Sequence, residues 1–546
     1  MIRAAIALAA LVACLLAAPA EAAPGRIAVG LEPGASPDGV GAAVAAATGG
    51  KLLPGIKPLR ALILSVPDVE AGVEAAGRLP GVEYAEPAGT RRVLAFQPND
   101  PLIGNQWYVP AIHAFDFWAE RPALAPVLVA VIDSGIDGSH PELQDRVFAA
   151  KSFVRSPAKV DTNGHGTMVA GEIAAAVDNG LGIAGIAFPA ELLIAKVVDP
   201  GGTISLEAEA RAIKWAVDTG ARVINLSLGG PRDPRNAERD TFSELEQAAI
   251  DYATSRGAVL VAATGNCQAV CPYRFASYPA ALAHVLGVSA LAEDGTSTPA
   301  FSNRDVLHND LAAPGEGIVS TLPLELSDPD CEQPGYSICA RIDYLRRGEG
   351  TSFAAPLVTA AAALILAQRP DLKASQVVEL LKRSAADVQQ TGRDAKSGFG
   401  RLDVLAALTA LSAPPPQADD FEPNDDAGSR AYVAYFRGEQ RVIRATLDFY
   451  EDATDVYRVR LHAGERATFT LQGPPDTDTN LILWKPGAED VVGLVPRGLV
   501  AELANRPGAR ERLRYRAEEG GWYYIQVKLS DGAGGPYRLL IEKVVP

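Results

Sequence analysis

The sequence predicts an α/β protein in several parts. A mostly parallel sheet flanked by helices is preceded by a small α/β module and followed by an all-β sandwich. Three observations carry this reading. Between residues 127 and 384, short continuously apolar runs alternate with longer helix-like stretches, as in a sheet covered on both faces. Residues 26–87 repeat strand–helix–strand on a smaller scale. Beyond Pro414-Pro415-Pro416 apolar residues alternate in twos between Gly, Pro and Asp turns, the texture of a β-sandwich. At 546 residues the chain is in any case too long for one domain.

Taken in order, the first element is an address. Arg3 precedes an apolar run over 4–18, and small residues follow in Ala18-Pro19-Ala20 and Ala20-Glu21-Ala22. This is the pattern of a secretory leader over 1–23, shorter than a membrane span. Residues 24–96 form the small module, with strands at 26–31, 61–66 and 82–86 and helices at 39–48 and 69–78. Residues 97–412 carry strands at 127–132, 192–198, 223–228, 259–263 and 285–289. Their helices fall at 165–176, 206–219, 243–256, 352–367 and 374–384. The apolar stretch 357–367 is too short to span a bilayer, and no stable membrane anchor is expected. Consecutive prolines make 413–421 a linker. The sandwich, 422–546, has strands at 456–461, 467–471, 480–484, 522–529 and 537–541.

The formal net charge of −16 argues against a nucleic-acid partner. Cys14 lies in the leader, which leaves Cys267, Cys271, Cys331 and Cys339 in an exported chain. Three pairings are possible; the local one, Cys267–Cys271 with Cys331–Cys339, is expected. No histidine lies within 267–271 or 331–339 to favour a metal instead.

Three stretches carry chemistry. Gly350-Thr351-Ser352 opens a helix so apolar that it must be buried, which holds the serine rigidly beside free helix N–H groups. Taken alone, Ser352 reads as a helix cap. Upstream, a buried strand ends at Asp133 in Val131-Ile132-Asp133-Ser134-Gly135, and His165 sits between glycines in Asn163-Gly164-His165-Gly166-Thr167. Each residue alone is ordinarily structural, but Asp, His, Ser is one of the chain orders of the hydrolytic triad. Ser352 would be the nucleophile, His165 its base and Asp133 the group that orients the imidazole.

These three blocks resemble those of the subtilisin-like serine proteases, and the resemblance spans 97–412. It implies hydrolysis of polypeptide substrates through an acyl-enzyme, with no cofactor for catalysis. It further implies that Asn266, after the strand at 259–263, donates to the oxyanion, and that Ser227, Leu228 and Gly229 pair with extended substrate. The loop 176–183 resembles the family's calcium loop, which would make Glu142, Val177, Asn179, Leu181 and Ile183 ligands of a structural calcium. Glu142 departs from the family's usual Asp, and Phe353 stands where many relatives carry Met. The 24–96 module resembles the inhibitory propeptides of these enzymes, with Arg91, Arg92 and Gln97 near the junction. Glu422-Pro423-Asn424-Asp425 and Gly521-Trp522-Tyr523-Tyr524 resemble the pre-peptidase C-terminal domain of secreted bacterial proteases. Together these imply an autoprocessed zymogen, extracellular or periplasmic, with its own propeptide as intramolecular inhibitor. Two rivals are a maturation protease of narrow specificity and a non-catalytic binding protein on a protease fold.

Overall fold

The structure is a computed structural model, and it describes residues 25–88, 95–236, 238–267, 275–340 and 347–411. It also describes 419–544 apart from 423, 429–430, 437–438, 449–451, 476, 489–490, 492–498 and 533. The leader, Arg91, Arg92, Cys271 and most of the linker therefore lie outside the described residues. The chain divides into two compact units, Met1–Val93 and Leu94–Pro546.

The first unit is a four-stranded antiparallel sheet ordered β2-β3-β1-β4. Its strands are β1 (Gly25–Leu31), β2 (Lys51–Ile56), β3 (Ala61–Val66) and β4 (Val82–Pro87). Helix α1 (Pro37–Thr48) starts where Ser36 Oγ accepts the Gly39 N–H, and ends at Gly49 with φ 62°. Helix α2 (Val69–Gly77) is capped by Asp68, which accepts from the Ala71 N–H. Ile27, Val29, Val44, Leu64, Val66 and Ala76 form the core. The sequence reading missed β2. This is an edge strand, mostly exposed and carrying Pro54 and Gly55, so it shows no two-residue alternation.

The second unit is built on a seven-stranded parallel sheet ordered β11-β10-β9-β8-β5-β7-β6. The strands are β5 (Val127–Asp133), β6 (Val147–Ser152), β7 (Ala190–Lys196), β8 (Val223–Leu226), β9 (Val259–Ala263), β10 (Val285–Leu291) and β11 (Leu311–Pro314). The helices are α3 (Tyr108–Ala111), α4 (His165–Ala174), α5 (Leu206–Asp218), α6 (Glu244–Ser255), α7 (Thr351–Gln368), α8 (Ala374–Arg383) and α9 (Val404–Ala410). Strand β5 shows why the core strands are apolar throughout. Val129 and Val131 pack with α4 and α7 on one face, and Ala130 and Ile132 with α5 and α6 on the other. The edge strands β6 and β11 escaped the sequence reading because one is half exposed and the other only four residues long. Among the described residues one helix, α7, is long and apolar enough to cross a membrane, and it is buried in this core.

The order of this sheet sets the site. From β5 the chain adds β6 and β7 on one side, then β8 to β11 on the other. The crevice beyond the carboxyl ends of β5 and β8 is therefore the switch point of the sheet, where open α/β proteins bind ligands.

Two further sheets follow. One is ordered β12-β14-β19-β16-β17 and the other β13-β20-β15-β18. The strands are β12 (Tyr432–Val433), β13 (Gln440–Asp448), β14 (Thr454–Leu461), β15 (Arg466–Gln472), β16 (Asp478–Trp484), β17 (Val500–Ala504), β18 (Arg510–Arg516), β19 (Gly521–Asp531) and β20 (Gly534–Val544). They share a core that includes Ile443, Tyr457, Phe469, Leu481, Ile525 and Leu539. The sequence reading found five of these strands. It missed β12, β13, β17 and β18, and β18 shows why: it alternates Arg with Glu511, Leu513 and Tyr515, and that inward set is barely apolar.

Candidate active site

Asp133 is the last residue of β5, and His165 is the first of α4. The buried Asp133 carboxylate meets His165 Nδ1 at 2.8 Å through Oδ1 and 2.9 Å through Oδ2. Its Oδ1 also accepts the Ser134 N–H at 2.7 Å. Helix α4 comes this close to β5 because residue 166 is glycine: a Cβ there would stand 2.2 Å from the Gly135 carbonyl oxygen. The His165 side chain remains about a third exposed, at 29%. Burial alone would push its pKa down. The charge and hydrogen bond of Asp133, with Asp161 behind, more than offset this, and the pKa is raised above the ordinary 6.5.

Asp161 is a residue the sequence reading passed over. One of its oxygens accepts from Ser134 Oγ, the Asn163 N–H and the Gly164 N–H; the other accepts from the Thr167 N–H and hydroxyl. Ser134 Oγ in turn accepts the Gly166 N–H at 2.9 Å. One buried carboxylate thus ties the end of β5 to the start of α4. The signal in the sequence is Asp161 two residues before Asn163, an Asx-type turn into a helix.

Ser352 is the second residue of α7. Its carbonyl accepts from Ser227 Oγ at 2.7 Å, and Ser227 Oγ accepts from Asn225 Nδ2 at 2.9 Å. Asn225 Oδ1 accepts from Thr359 Oγ1, two turns further along α7. Sequence reasoning placed Ser227 by its backbone; its side chain also pins the carbonyl of Ser352. The Phe353 ring lies 5.4 Å from the His165 ring, centroid to centroid, so the start of α7 meets the imidazole. Leu228 and Gly229 follow the end of β8, with Gly229 exposed and Gly230 bridged to Tyr278.

Asn266 lies just beyond β9. Its Oδ1 accepts from the Thr351 N–H at 2.9 Å and the Thr351 hydroxyl at 3.0 Å. That oxygen is therefore spoken for, and the Nδ2 amide faces Gly350, where a Cβ would come within 3.1 Å of it. Gly350 has φ 152°, a conformation that favours glycine. The residues expected to act together, Asp133, His165, Ser352, Asn266 and Ser227, thus share one rim of the sheet.

The loop read as a calcium site has another arrangement. Glu142 accepts from Tyr336 OH at 2.8 Å and from Asn179 Nδ2 at 3.0 Å, while Asn179 Oδ1 accepts the Leu181 N–H. The Val177 carbonyl accepts from the Arg121 guanidinium at 2.6 Å. Ile183 is buried and Leu181 half exposed. With the side-chain oxygens of Glu142 and Asn179 taken by internal donors and a guanidinium already at the Val177 carbonyl, the loop as arranged is a poor fit to calcium. Burial, opposed by these hydrogen bonds, pushes Glu142 up to about 7. Of the expected disulfides, Cys331–Cys339 is formed, and Cys267–Cys271 involves a residue outside those described.

Comparison with known proteins agrees with this geometry. The sequence profile of the subtilase family matches residues 125–400, and that of the fervidolysin N-terminal prodomain matches 16–88. A thermophilic serine proteinase of Bacillus sp. (strain AK1) is 34% identical over 350 residues, 64% of this chain and 78% of the relative. Thermitase of Thermoactinomyces vulgaris is 32% identical over 299 residues, 54% of this chain and 94% of the relative. Fervidolysin of Fervidobacterium pennivorans is 31% identical over 369 residues, 60% of this chain and 50% of the relative. With a profile match over half its length and its sheet carrying the Asp133–His165 pair at the switch point, this chain belongs to the subtilase family of serine endopeptidases.

Proposed function

We propose that the protein is an exported subtilase made as a zymogen, with Ser352 as nucleophile, His165 as general base and Asp133 holding the imidazole. The observation that carries this reading is the two-point contact of Asp133 with His165 Nδ1, on a ring packed against the neighbour of Ser352. With Nδ1–H committed to Asp133, the lone pair of Nε2 is free to take the Ser352 proton as Oγ attacks a peptide carbonyl. The same imidazole then delivers the proton to the leaving amine. The oxyanion would be held by Asn266 Nδ2 and the Ser352 N–H, the latter at the positive end of α7. Substrate would lie extended beside Ser227, Leu228 and Gly229, read through its main chain, which supports broad tolerance of side chains.

In this reading residues 1–23 are the leader, 24–96 the inhibitory propeptide, 97–412 the catalytic domain and 422–546 a β-sandwich joined through 413–421. One relative is named a cell wall-associated protease, from Bacillus subtilis, which supports a site of action outside the cytoplasm.

Calcium is better supported in the sandwich than in the 176–183 loop. Asp419, Asp452 and Asp455 gather their oxygens there, as do Glu422, Asp425 and Asp452. Asn424 is fully buried beside Asp455, yet among the described residues neither its Oδ1 nor its Nδ2 has a hydrogen-bond partner of normal geometry. Asp452 and Asp455 each leave one buried oxygen unpartnered. Carboxylates with an amide oxygen are the donors a hard cation takes, and the ion would neutralise their mutual repulsion. Adding EDTA is expected to lower Tm, and Asp455→Asn to abolish that response; an EDTA response unchanged in the variant would refute the site.

The central test is the intact mass of the secreted product, wild type beside Ser352→Ala. Wild type is expected to lose about 70–75 residues beyond the leader, the length of a small folded module, and the variant to keep them. Loss of the same segment from both would overturn self-processing by Ser352.

A further inference from the structure

The outer face of the four-stranded sheet β13-β20-β15-β18 is the feature that peptide hydrolysis leaves unexplained. On β18, Arg510, Arg512, Arg514 and Arg516 are exposed, while Glu511 and Leu513 between them are buried. The pairing register sets Gln472, Thr470, Thr468 and Arg466 of β15 directly opposite these four. On the other side of β15, Arg538 of β20 lies opposite Gln472, and Arg444 of β13 lies opposite Arg538. Seven guanidiniums therefore share one face of a protein whose net charge is −16. The carboxylates in outward register are Glu542, whose Oε1 accepts from Gln440 at 3.0 Å, and Asp448 at a strand end. Among the described residues none of the seven arginines has an acidic ion-pair partner.

This arrangement costs stability. Arg444 with Arg538 and Arg466 with Arg516 are like charges set directly opposite one another, which destabilises a strand pair. Nothing in the fold requires them, because the inward residues alone build the core. What the face gains is an array of forked donors at a regular pitch. Alternate residues along β18 repeat at about 6.8 Å, and the next strand lies about 4.8 Å away. Guanidinium groups suit carboxylate, sulfate or phosphate oxygens.

We propose that this face binds a linear anionic polysaccharide and so holds the protease on an acidic envelope or matrix polymer. The column beside β18 favours a sugar polymer: Thr468, Thr470 and Gln472 offer hydroxyl and amide groups to sugar hydroxyls. The outward positions of these four strands hold no aromatic ring on which bases could stack, unlike the platforms that bind single-stranded nucleic acid. Asp419 and Asp420 flank the Arg444 end and Glu502 of β17 lies beside Arg510, Arg512 and Arg514; five of the seven arginines stand on β18 and β15, which centres the site there.

The test uses the full chain as secreted, with polygalacturonate, dextran sulfate, neutral dextran and a short DNA duplex as immobilised probes. Binding to the two acidic polysaccharides is expected at 50 mM salt and none to neutral dextran. With four charge contacts, affinity should fall about 50-fold between 50 and 200 mM salt. The double variant Arg512→Ser, Arg514→Ser should bind at least about tenfold more weakly at 50 mM salt and lose half of the salt slope, falling only about sevenfold to 200 mM, because two of the four counterion contacts are gone. A control, Arg211→Ser with Lys214→Ser on the exposed face of α5, should bind as wild type. Polymer should raise the Tm of wild type and not of the double variant, whose own Tm, no lower than wild type's, shows that it folds. Equal binding by the two variants, binding to neutral dextran, no binding at 50 mM salt, or tighter binding to the duplex would each overturn the proposal. Preference for polygalacturonate over dextran sulfate, or the reverse, identifies the anion as carboxylate or sulfate.

Discussion

At the scale of single residues, the reactive group is prepared by its neighbours. Asp133 works against the desolvation of His165, and the net result is an imidazole more basic than usual. The proposed mechanism needs that imidazole neutral in the free enzyme, so its protonation would be the acid limb of kcat/KM. Because the shift is upward, activity should be lost on falling through a midpoint above pH 6.5, not below it. A kcat/KM profile from pH 5 to 9 checks this; a midpoint near 6 would mean that desolvation, not Asp133, dominates. Asp161 acts one step further out: its five hydrogen bonds hold the strand end and the helix start in register.

At the scale of elements, helices α5 and α6 are joined by an acidic pair. Glu209 and Glu246 are both buried and hydrogen-bond to each other, and one oxygen of Glu209 is left unpartnered. Burial first, then repulsion by Glu246, pushes Glu209 well above its usual value, and burial raises Glu246. Folded protein therefore binds a proton that unfolded chain releases near pH 4.5. The stabilisation is present in full below that pH and is lost as pH rises through the folded pKa. Glu209→Gln, a neutral copy of the protonated acid, should raise Tm at pH 8 and leave it unchanged at pH 4.5. Thermal unfolding at both pH values decides; a loss of Tm at pH 8 would mean that the pair is held by something other than a shared proton.

At the scale of the whole molecule, helix α8 is where the parallel sheet's layer meets the sandwich. Arg383, nearly buried, donates to the Gly532 carbonyl, and Lys373 pairs with Asp425 at 3.7 Å. Burial lowers the Lys528 pKa, with Glu379 of α8 opposing it and Lys382 adding to it. These contacts make the sandwich a packed part of the second unit. Ending the chain at residue 411 should uncover Arg383 and lower the Tm of the catalytic portion by several degrees, about 1–2 kcal/mol spread over a domain this size. Calorimetry of the shortened and full chains checks this, and an unchanged Tm would show that the sandwich is only tethered.

The residues proposed for catalysis stand out in the sequence because each sits at an element boundary that local rules mark. An apolar run stops at Asp133, glycines frame His165, and Ser352 opens a helix too apolar to be exposed. Continuous apolar strands and alternating ones likewise specified the parallel sheet and the sandwich, since burial on two faces or one writes a different period into the chain. Edge strands β2 and β6 were not legible, because a strand half in water needs no apolar pattern, and β11, though buried, is only four residues long. Partnership was not legible either. Only the tertiary structure decided that Asp161 ties the end of β5 to the start of α4, that Arg121 takes the Val177 carbonyl, and that Arg444, Arg466, Arg538 and β18 share one face. Those are contacts between residues distant in the chain, and a sequence period records which way a side chain points but not what it meets.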